Sequence, residues 1–335
     1  MLAAVFDRFG EPGDVLRIEE RPLPTPGVGE VRVRMLASPV NPSDLMTIRG
    51  VYGIRPALPS VPGYEGVGIV DAARAGLFGN YLMGKRVAVL KSVTGNWQGF
   101  AIASAKSVIP LPQSLTNGQA AMFFVNPATA VILTRKLLAV PRNAWLLQSA
   151  AASSVGKMVI RLGRRYGFKT MNLVRSSERT AELQALGADV VIPFDPARDS
   201  TESLMSAVLK HTGSEGVRYA IDPVGGATAS AMAGCLGKDG RLIVYGTLSS
   251  EPLNFSSRVL MTSGSRVEGF WLTHYMGKQG LLAKLGLIRE LSTGIQSGML
   301  TADVAATFPL SDVVAAVEAA EQPGRAGKVL LSIGE

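Results

Sequence analysis

Residues 145–159 read Trp145-Leu-Leu-Gln-Ser-Ala-Ala-Ala-Ser-Ser-Val-Gly156-Lys-Met-Val159. An apolar strand enters a turn built only of Ala and Ser, and a glycine stands one helical turn into an amphipathic helix. This is the pattern of the first strand-to-helix turn of a dinucleotide-binding sheet. Small residues at Ala152, Ser153, Ser154, Val155 and Gly156 let a pyrophosphate approach the backbone and sit on the helix N-terminus, where free N–H groups and the macrodipole favour anions. Ser153 and Ser154 replace the usual glycines of G-x-G-x-x-G, so the stretch draws its weight from its surroundings.

Those surroundings alternate strand and helix. From about Thr116 the order is helix (NGQAAMFFVNPATAVILTRKLL), strand (AWLLQSA), helix (SSVGKMVIRLGRRYG) and strand (KTMNLVR). Helix (SERTAELQALG), strand (DVVIPF), helix (ESLMSAVLKHTG), strand (VRYAIDPV), helix (ATASAMAGCLG) and strand (GRLIVYG) follow. Strands alternating with helices predict parallel βαβ units and a doubly wound sheet over 116–261. Upstream, short strands between Gly/Pro turns (LAAVFDRFG, VLRIEE, GEVRVRMLASPV, GVGIVDA, GKRVAVLKSV, FAIAS, SVIPLP) predict a mostly antiparallel, barrel-like sheet. Downstream, a strand (RVEGFWL), two helical stretches and a strand (GKVLLSI) are too short to fold alone. The expectation is one discontinuous domain, 1–115 with 262–335, into which the parallel sheet is inserted.

The end of the second parallel strand bears on cofactor choice. An NAD enzyme usually has Asp or Glu there for the ribose hydroxyls, whereas a 2′-phosphate calls for Arg and hydroxyl donors. This chain has Arg175, Ser176 and Ser177, with Arg179 close behind and no acid until Glu178. NADP(H) is therefore expected over NAD(H). Gly79-Asn-Tyr-Leu-Met-Gly84-Lys85-Arg86 has P-loop spacing but lacks the Ser or Thr that holds magnesium, and it leads into a strand; it reads as a turn.

Composition narrows the chemistry. The 335 residues exceed one compact core, and 47% hydrophobic with 18% charged residues is an ordinary globular balance. One cysteine, Cys235, excludes an internal disulfide and a four-cysteine zinc lobe. Two histidines, His211 and His274, form no recognisable metal motif. Cys235, without a base nearby in sequence, reads as core. The formal charge of +8 favours anionic partners. The basic residues are scattered without interleaved aromatics, so nucleic acid is not expected. No apolar run reaches the ~18 residues of a membrane span, and the N-terminus lacks a leader pattern; a cytoplasmic protein is expected.

Val40-Asn-Pro-Ser-Asp44, Gly50-Val-Tyr52-Gly and Leu58-Pro-Ser-Val-Pro-Gly63-Tyr-Glu-Gly66 resemble the medium-chain dehydrogenase/reductase superfamily. The chain looks most like its zinc-independent 2-enoyl thioester reductases and, more distantly, its quinone oxidoreductases. Val125-Asn-Pro-Ala-Thr129, Asp222-Pro-Val-Gly-Gly226, Tyr245-Gly-Thr-Leu248, Gly269-Phe-Trp-Leu272 and Gly327-Lys-Val-Leu330 support this in order along nearly the whole chain. The resemblance implies a GroES-like catalytic domain, an inserted Rossmann-type NADP(H) domain and, for the strand at Gly269–Leu272, a homodimer. Zinc-dependent relatives carry Cys where Asn41 stands and His where Tyr64 stands, so a metal-free branch is implied. Tyr64 and the approach 73–81 also depart from the pattern of close enoyl reductases.

By the same resemblance Tyr52 is the acid that stabilises or protonates an enolate formed when hydride adds to Cβ of an enoyl thioester. Asn126 and Thr129 belong to the nicotinamide end; Tyr245, Gly246, Thr247, Leu248, Phe270, Trp271, Leu272 and Lys328 also line the cofactor. Asn41, Tyr64 and Trp271 border the substrate pocket. The expected substrate is an acyl thioester of CoA or acyl carrier protein. A quinone or free enone is the alternative, and an NADPH-binding protein with little turnover is a second.

Overall fold

The computed structural model describes residues 1–90 and 94–334; the tail of the expected strand 84–93, at 91–93, lies outside the described residues. The chain forms two compact units, Met1–Val125 with Ala302–Glu335, and Asn126–Thr301.

In the first unit Glu30–Pro39 is the central strand, with Val31, Val33 and Met35 alternating into the core. One edge pairs antiparallel with Glu65–Ala73. The other edge pairs with Phe100–Ser104 over its first half and Lys328–Ser332 over its second. Arg86–Leu90 and Val108–Pro110 extend the sheet on one side, and Val304–Pro309 joins Lys328–Ser332 in parallel on the other. The returning strand is thus held inside the sheet, with Leu330 opposite Pro39 and Ser332 opposite Ala37. A second apolar cluster, around Phe6, Ile48, Trp97, Val317 and Leu331, anchors the helices Pro42–Arg49 and Val313–Glu321.

The second unit is a six-stranded parallel sheet ordered Val190–Pro193, Lys169–Val174, Trp145–Gln148, Val217–Asp222, Leu236–Val244, Arg266–Gly269. Numbered along the chain within the unit, that order is 3-2-1-4-5-6, the dinucleotide-binding topology. Right-handed crossovers on either side of the reversal put helices on both faces. The reversal lies between Trp145–Gln148 and Val217–Asp222, and ligands of such sheets bind at the carboxyl ends of the strands beside it.

The expected α/β architecture is therefore present, with corrections. Residues 262–301 do not join the N-terminal segment: Arg266–Gly269 adds to the parallel sheet beside Leu236–Val244, and helix Leu281–Gln296 lies in the same unit. That strand ends at Gly269, and Trp271 instead starts the short helix Leu272–Gly277. The expected helix 117–138 is broken into Asn117–Ala121, Val125–Val131 and a wider π-type turn, Ile132–Leu137. The break has a polar cause: the Phe124 and Val125 N–H groups donate to the Glu65 carboxylate at 3.4 and 3.0 Å. The segment approaching Gly84 winds into a helix, Gly76–Leu82. Lys+Arg and Asp+Glu are equal in number in 1–125 with 302–335, so the whole +8 belongs to Asn126–Thr301.

Candidate active site

Helix Pro42–Arg49 orders the candidate residues of the first unit. Asp44 caps its start, accepting the Asn41 N–H at 2.8 Å, and its second oxygen accepts the Tyr64 N–H at 3.0 Å. Gly50 ends the helix in the left-handed region at φ 74°, and a Cβ there would lie 2.8 Å from the Phe9 ring. Only glycine suits both demands. The chain then reverses, and the Tyr52 N–H bonds Met46 O at 3.2 Å. The half-buried Tyr52 ring thereby packs on Tyr64, with centroids 5.6 Å apart and planes tilted by 52°.

Thr47 Oγ1 donates to Ser43 O at 2.8 Å, so it can only accept from the Tyr64 hydroxyl, 2.7 Å away. Partial burial pushes the Tyr64 phenol up to about 12. The proton of Tyr64 is committed to Thr47.

Beneath the tyrosines lies a polar cluster that is almost fully buried: Asn41, Asp44, Glu65 and Lys328. Lys328 Nζ donates to Asn41 Oδ1, and Asn41 Nδ2 donates to Glu65 Oε1 at 3.0 Å. Two carboxyls share one ammonium in a dry pocket. Desolvation pushes Asp44 up to about 7, raises Glu65 and pushes Lys328 down to about 8.

This cluster makes stability depend on pH. Unfolded aspartate titrates near ~4, so Asp44 holds its proton more tightly in the folded chain. Its contribution is full below ~4 and is lost as pH rises to about 7. Lysine runs the other way: the unfolded side chain keeps its proton to ~10.4, so rising pH restores stability above about 8. In denaturant titrations, wild type is expected to lose stability relative to Asp44→Asn between pH ~4 and ~7. A difference independent of pH contradicts this.

Within the second unit, the carboxyl edge of the parallel sheet gathers most of the predicted cofactor residues. Ala152–Gly156 follow Trp145–Gln148, Arg175–Ser177 follow Lys169–Val174, Tyr245–Leu248 follow Leu236–Val244, and Phe270–Leu272 follow Arg266–Gly269. Ser153 caps helix Ser154–Tyr166, its Oγ accepting the Gly156 N–H at 3.1 Å. A Cβ on Gly156 would lie 2.4 Å from Ala151 O, so the helix can approach the turn only with glycine there. Ser149 and Asp222, at the ends of the two strands flanking the reversal, are hydrogen-bonded, and Asp222 Oδ2 accepts the Gly225 N–H at 2.6 Å.

The two arginines at the second strand differ. Arg179 pairs with Glu182 at 3.0 Å, and Lys157 takes the other oxygen of the same carboxylate. Arg175 is exposed, with no ion pair or hydrogen bond among the described residues, beside exposed Ser176 and Ser177. Asn126 and Thr129 are buried on helix Val125–Val131, and Asn126 Nδ2 has no hydrogen-bond partner among the described residues. A buried orphan amide donor is costly unless a ligand meets it.

The structure brings Asn41, Tyr52, Tyr64 and Lys328 together within the first unit, while the remaining predicted residues, Trp271 included, lie in the second. Asp44, Thr47 and Glu65 are partners that no sequence argument had singled out, although Asp44 and Glu65 sit inside the two quoted motifs. Cys235 is buried, as read.

Comparison with known proteins agrees with this arrangement. Residues 27–133 match the Alcohol dehydrogenase GroES-like domain family and 154–285 match the Zinc-binding dehydrogenase family. The mitochondrial enoyl-[acyl-carrier-protein] reductase of Bos taurus is 30% identical over 335 residues, covering 99% of this chain and 88% of its own length. The chain belongs to the medium-chain dehydrogenase/reductase superfamily. An Arabidopsis thaliana reductase of the same name is 32% identical over 282 residues, 82% of this chain and 74% of its own. Escherichia coli quinone oxidoreductase, solved in complex with NADPH, superposes with a TM-score of 0.89 at 26% identity, covering 99% of this chain and 100% of its own. The family description naming zinc meets a misfit in this superfamily member. Asn41 and Tyr64 offer an amide and a phenol in place of the thiolate and imidazole that zinc favours, and the Asn41 oxygen already holds an ammonium that would repel a dication.

Proposed function

We propose that the chain is an NADPH-dependent, zinc-independent reductase of an activated C=C bond, acting on a 2-enoyl thioester of CoA or acyl carrier protein. The observation that carries the reading is Tyr52, a half-buried phenol in the Gly-x-Tyr place of the enoyl reductases, set against a second tyrosine whose proton is already committed. The enoyl-[acyl-carrier-protein] reductases matching 99% of the chain support the substrate class.

The residues at the sheet edge fit a phosphorylated dinucleotide. The Ala/Ser turn and helix N-terminus receive the pyrophosphate, Arg175 with Ser176 and Ser177 the 2′-phosphate, and Asn126 Nδ2 a carbonyl of the nicotinamide end. When bound, the dinucleotide supplies the hydride that adds to Cβ. Tyr52 then donates a hydrogen bond to the thioester oxygen, where negative charge collects, and delivers the proton that completes reduction at Cα. Tyr64 shapes the pocket and keeps the Tyr52 ring in place. The buried Lys328–Asn41–Glu65 chain fixes the floor on which both tyrosines stand. We take the protein to be a homodimer paired along Arg266–Gly269, the outer strand of the parallel sheet.

Quinone reduction with the same cofactor is the second reading, favoured by the likeness to quinone oxidoreductase. The test is NADPH oxidation with crotonyl-CoA, with a quinone, and with no acceptor. A rate that depends on crotonyl-CoA and exceeds the quinone rate is expected. A quinone rate alone moves the reading to the second, and no acceptor-dependent rate overturns both.

A further inference from the structure

A concavity of about 910 Å³ opens on the Asn126–Thr301 unit between the end of helix Ser154–Tyr166 and helix Leu281–Gln296. Arg161, Arg164, Arg165 and Arg289 line it. Arg161 gives one N–H to Thr301 O at 2.9 Å, and none of the four has an ion pair among the described residues. Glu290, the acid in the lining, is occupied by Lys136 at 3.1 Å. Arg135 adds a further guanidinium, 4.0 Å from the ring centroid of Tyr166 at the rim.

The helix macrodipole accounts for part of this. Arg164 and Arg165 stand in the last turn of their helix, where cations are favoured. Arg161 lies earlier in that helix and Arg289 mid-way along the other, so neither gains in this way. Neighbouring cations whose one lining acid, Glu290, is already taken by Lys136 raise the electrostatic energy until an anion joins them. A guanidinium fork grips phosphate in two parallel hydrogen bonds, so four forks suit clustered phosphates better than a single one. The volume also lies in the range of small-molecule sites, ~300–1,000 Å³.

We propose that this basin binds a small molecule carrying clustered phosphates, at a site separate from the dinucleotide turn. The helix between them separates the turn from Arg164 and Arg165 by about 16 Å along its axis. The inference stands whether or not the enoyl reading does.

Calorimetric titration with inorganic tripolyphosphate tests it on three proteins: wild type, Arg175→Ala, and the triple variant Arg164→Ser, Arg165→Ser, Arg289→Ser. Wild type and Arg175→Ala are expected to bind alike, and the triple variant at least about tenfold more weakly with an unchanged thermal midpoint. No binding to wild type overturns the proposal, as does an undiminished triple variant. Loss in Arg175→Ala alone moves the anion to the dinucleotide turn. A duplex oligonucleotide binding through these arginines where tripolyphosphate does not replaces the small molecule with nucleic acid. Should the triple variant not fold, Arg289→Glu alone is expected to show the same loss.

Discussion

A Tyr52→Phe variant is expected to lose about 10²–10³-fold in thioester-dependent kcat with little change in KM for NADPH. Phenylalanine keeps the ring against Tyr64, so packing survives and only the hydroxyl is lost. In the proposed reaction the hydroxyl acts where charge appears on the thioester oxygen, a place that carries little charge in the ground state, so the loss is expected in kcat. Tyr64→Phe is the companion measurement. Its hydroxyl already donates to Thr47, so its removal is expected to cost far less. Quinone turnover needs no enolate and is expected to respond weakly to either change. An unaltered crotonyl-CoA rate in Tyr52→Phe would remove this tyrosine from the chemistry.

Arg175→Ala is expected to weaken NADPH by about 10- to 100-fold and NADH hardly at all. A hydrogen bond to a charged group contributes about 1.5–3 kcal/mol, and each ~1.4 kcal/mol is tenfold in affinity. The contrast between cofactors is the informative quantity. Arg179 is a built-in comparison, because its guanidinium is already paired with Glu182. Arg179→Ala is expected to show a smaller contrast between the two cofactors. Equal losses for NADPH and NADH in Arg175→Ala would refute the 2′-phosphate assignment.

Much of the parallel unit is legible in the sequence because its signals are local. The change from alternating short strands to strand–helix repeats marks where the sheet begins, and Gly156 marks the turn. Its far limit was less legible: Arg266–Gly269 reads as a strand wherever it pairs, and only three-dimensional pairing shows that it extends the parallel sheet. The break after Ala121 is nearly as hidden. Pro127, which fits only the first turn of a helix, hints at a restart, but the carboxylate that takes the freed N–H groups lies nearly 60 residues earlier, at Glu65. The buried cluster was partly legible. Asn41 and Lys328 could be picked out only through family likeness, since they meet across 287 positions. Asp44 and Glu65 resemble ordinary solvated acids, the usual fate of those residue types. Packing alone shows them to be dry.

The placement of Lys328–Ser332 inside the first sheet, between Val304–Pro309 and Glu30–Pro39, bears on biosynthesis. Chains emerge from the ribosome in order, and domains generally fold as units. Residues 1–125 leave first but lack the strand that fills the gap beside residues 37–39. The parallel unit, continuous in sequence, can fold as soon as it is out. The first unit must wait for a strand made after it, and that same strand brings Lys328. During synthesis, a folded parallel unit with an unfinished first sheet is therefore the natural intermediate, and pulse-labelled nascent chains stalled beyond residue 301 offer a way to catch it.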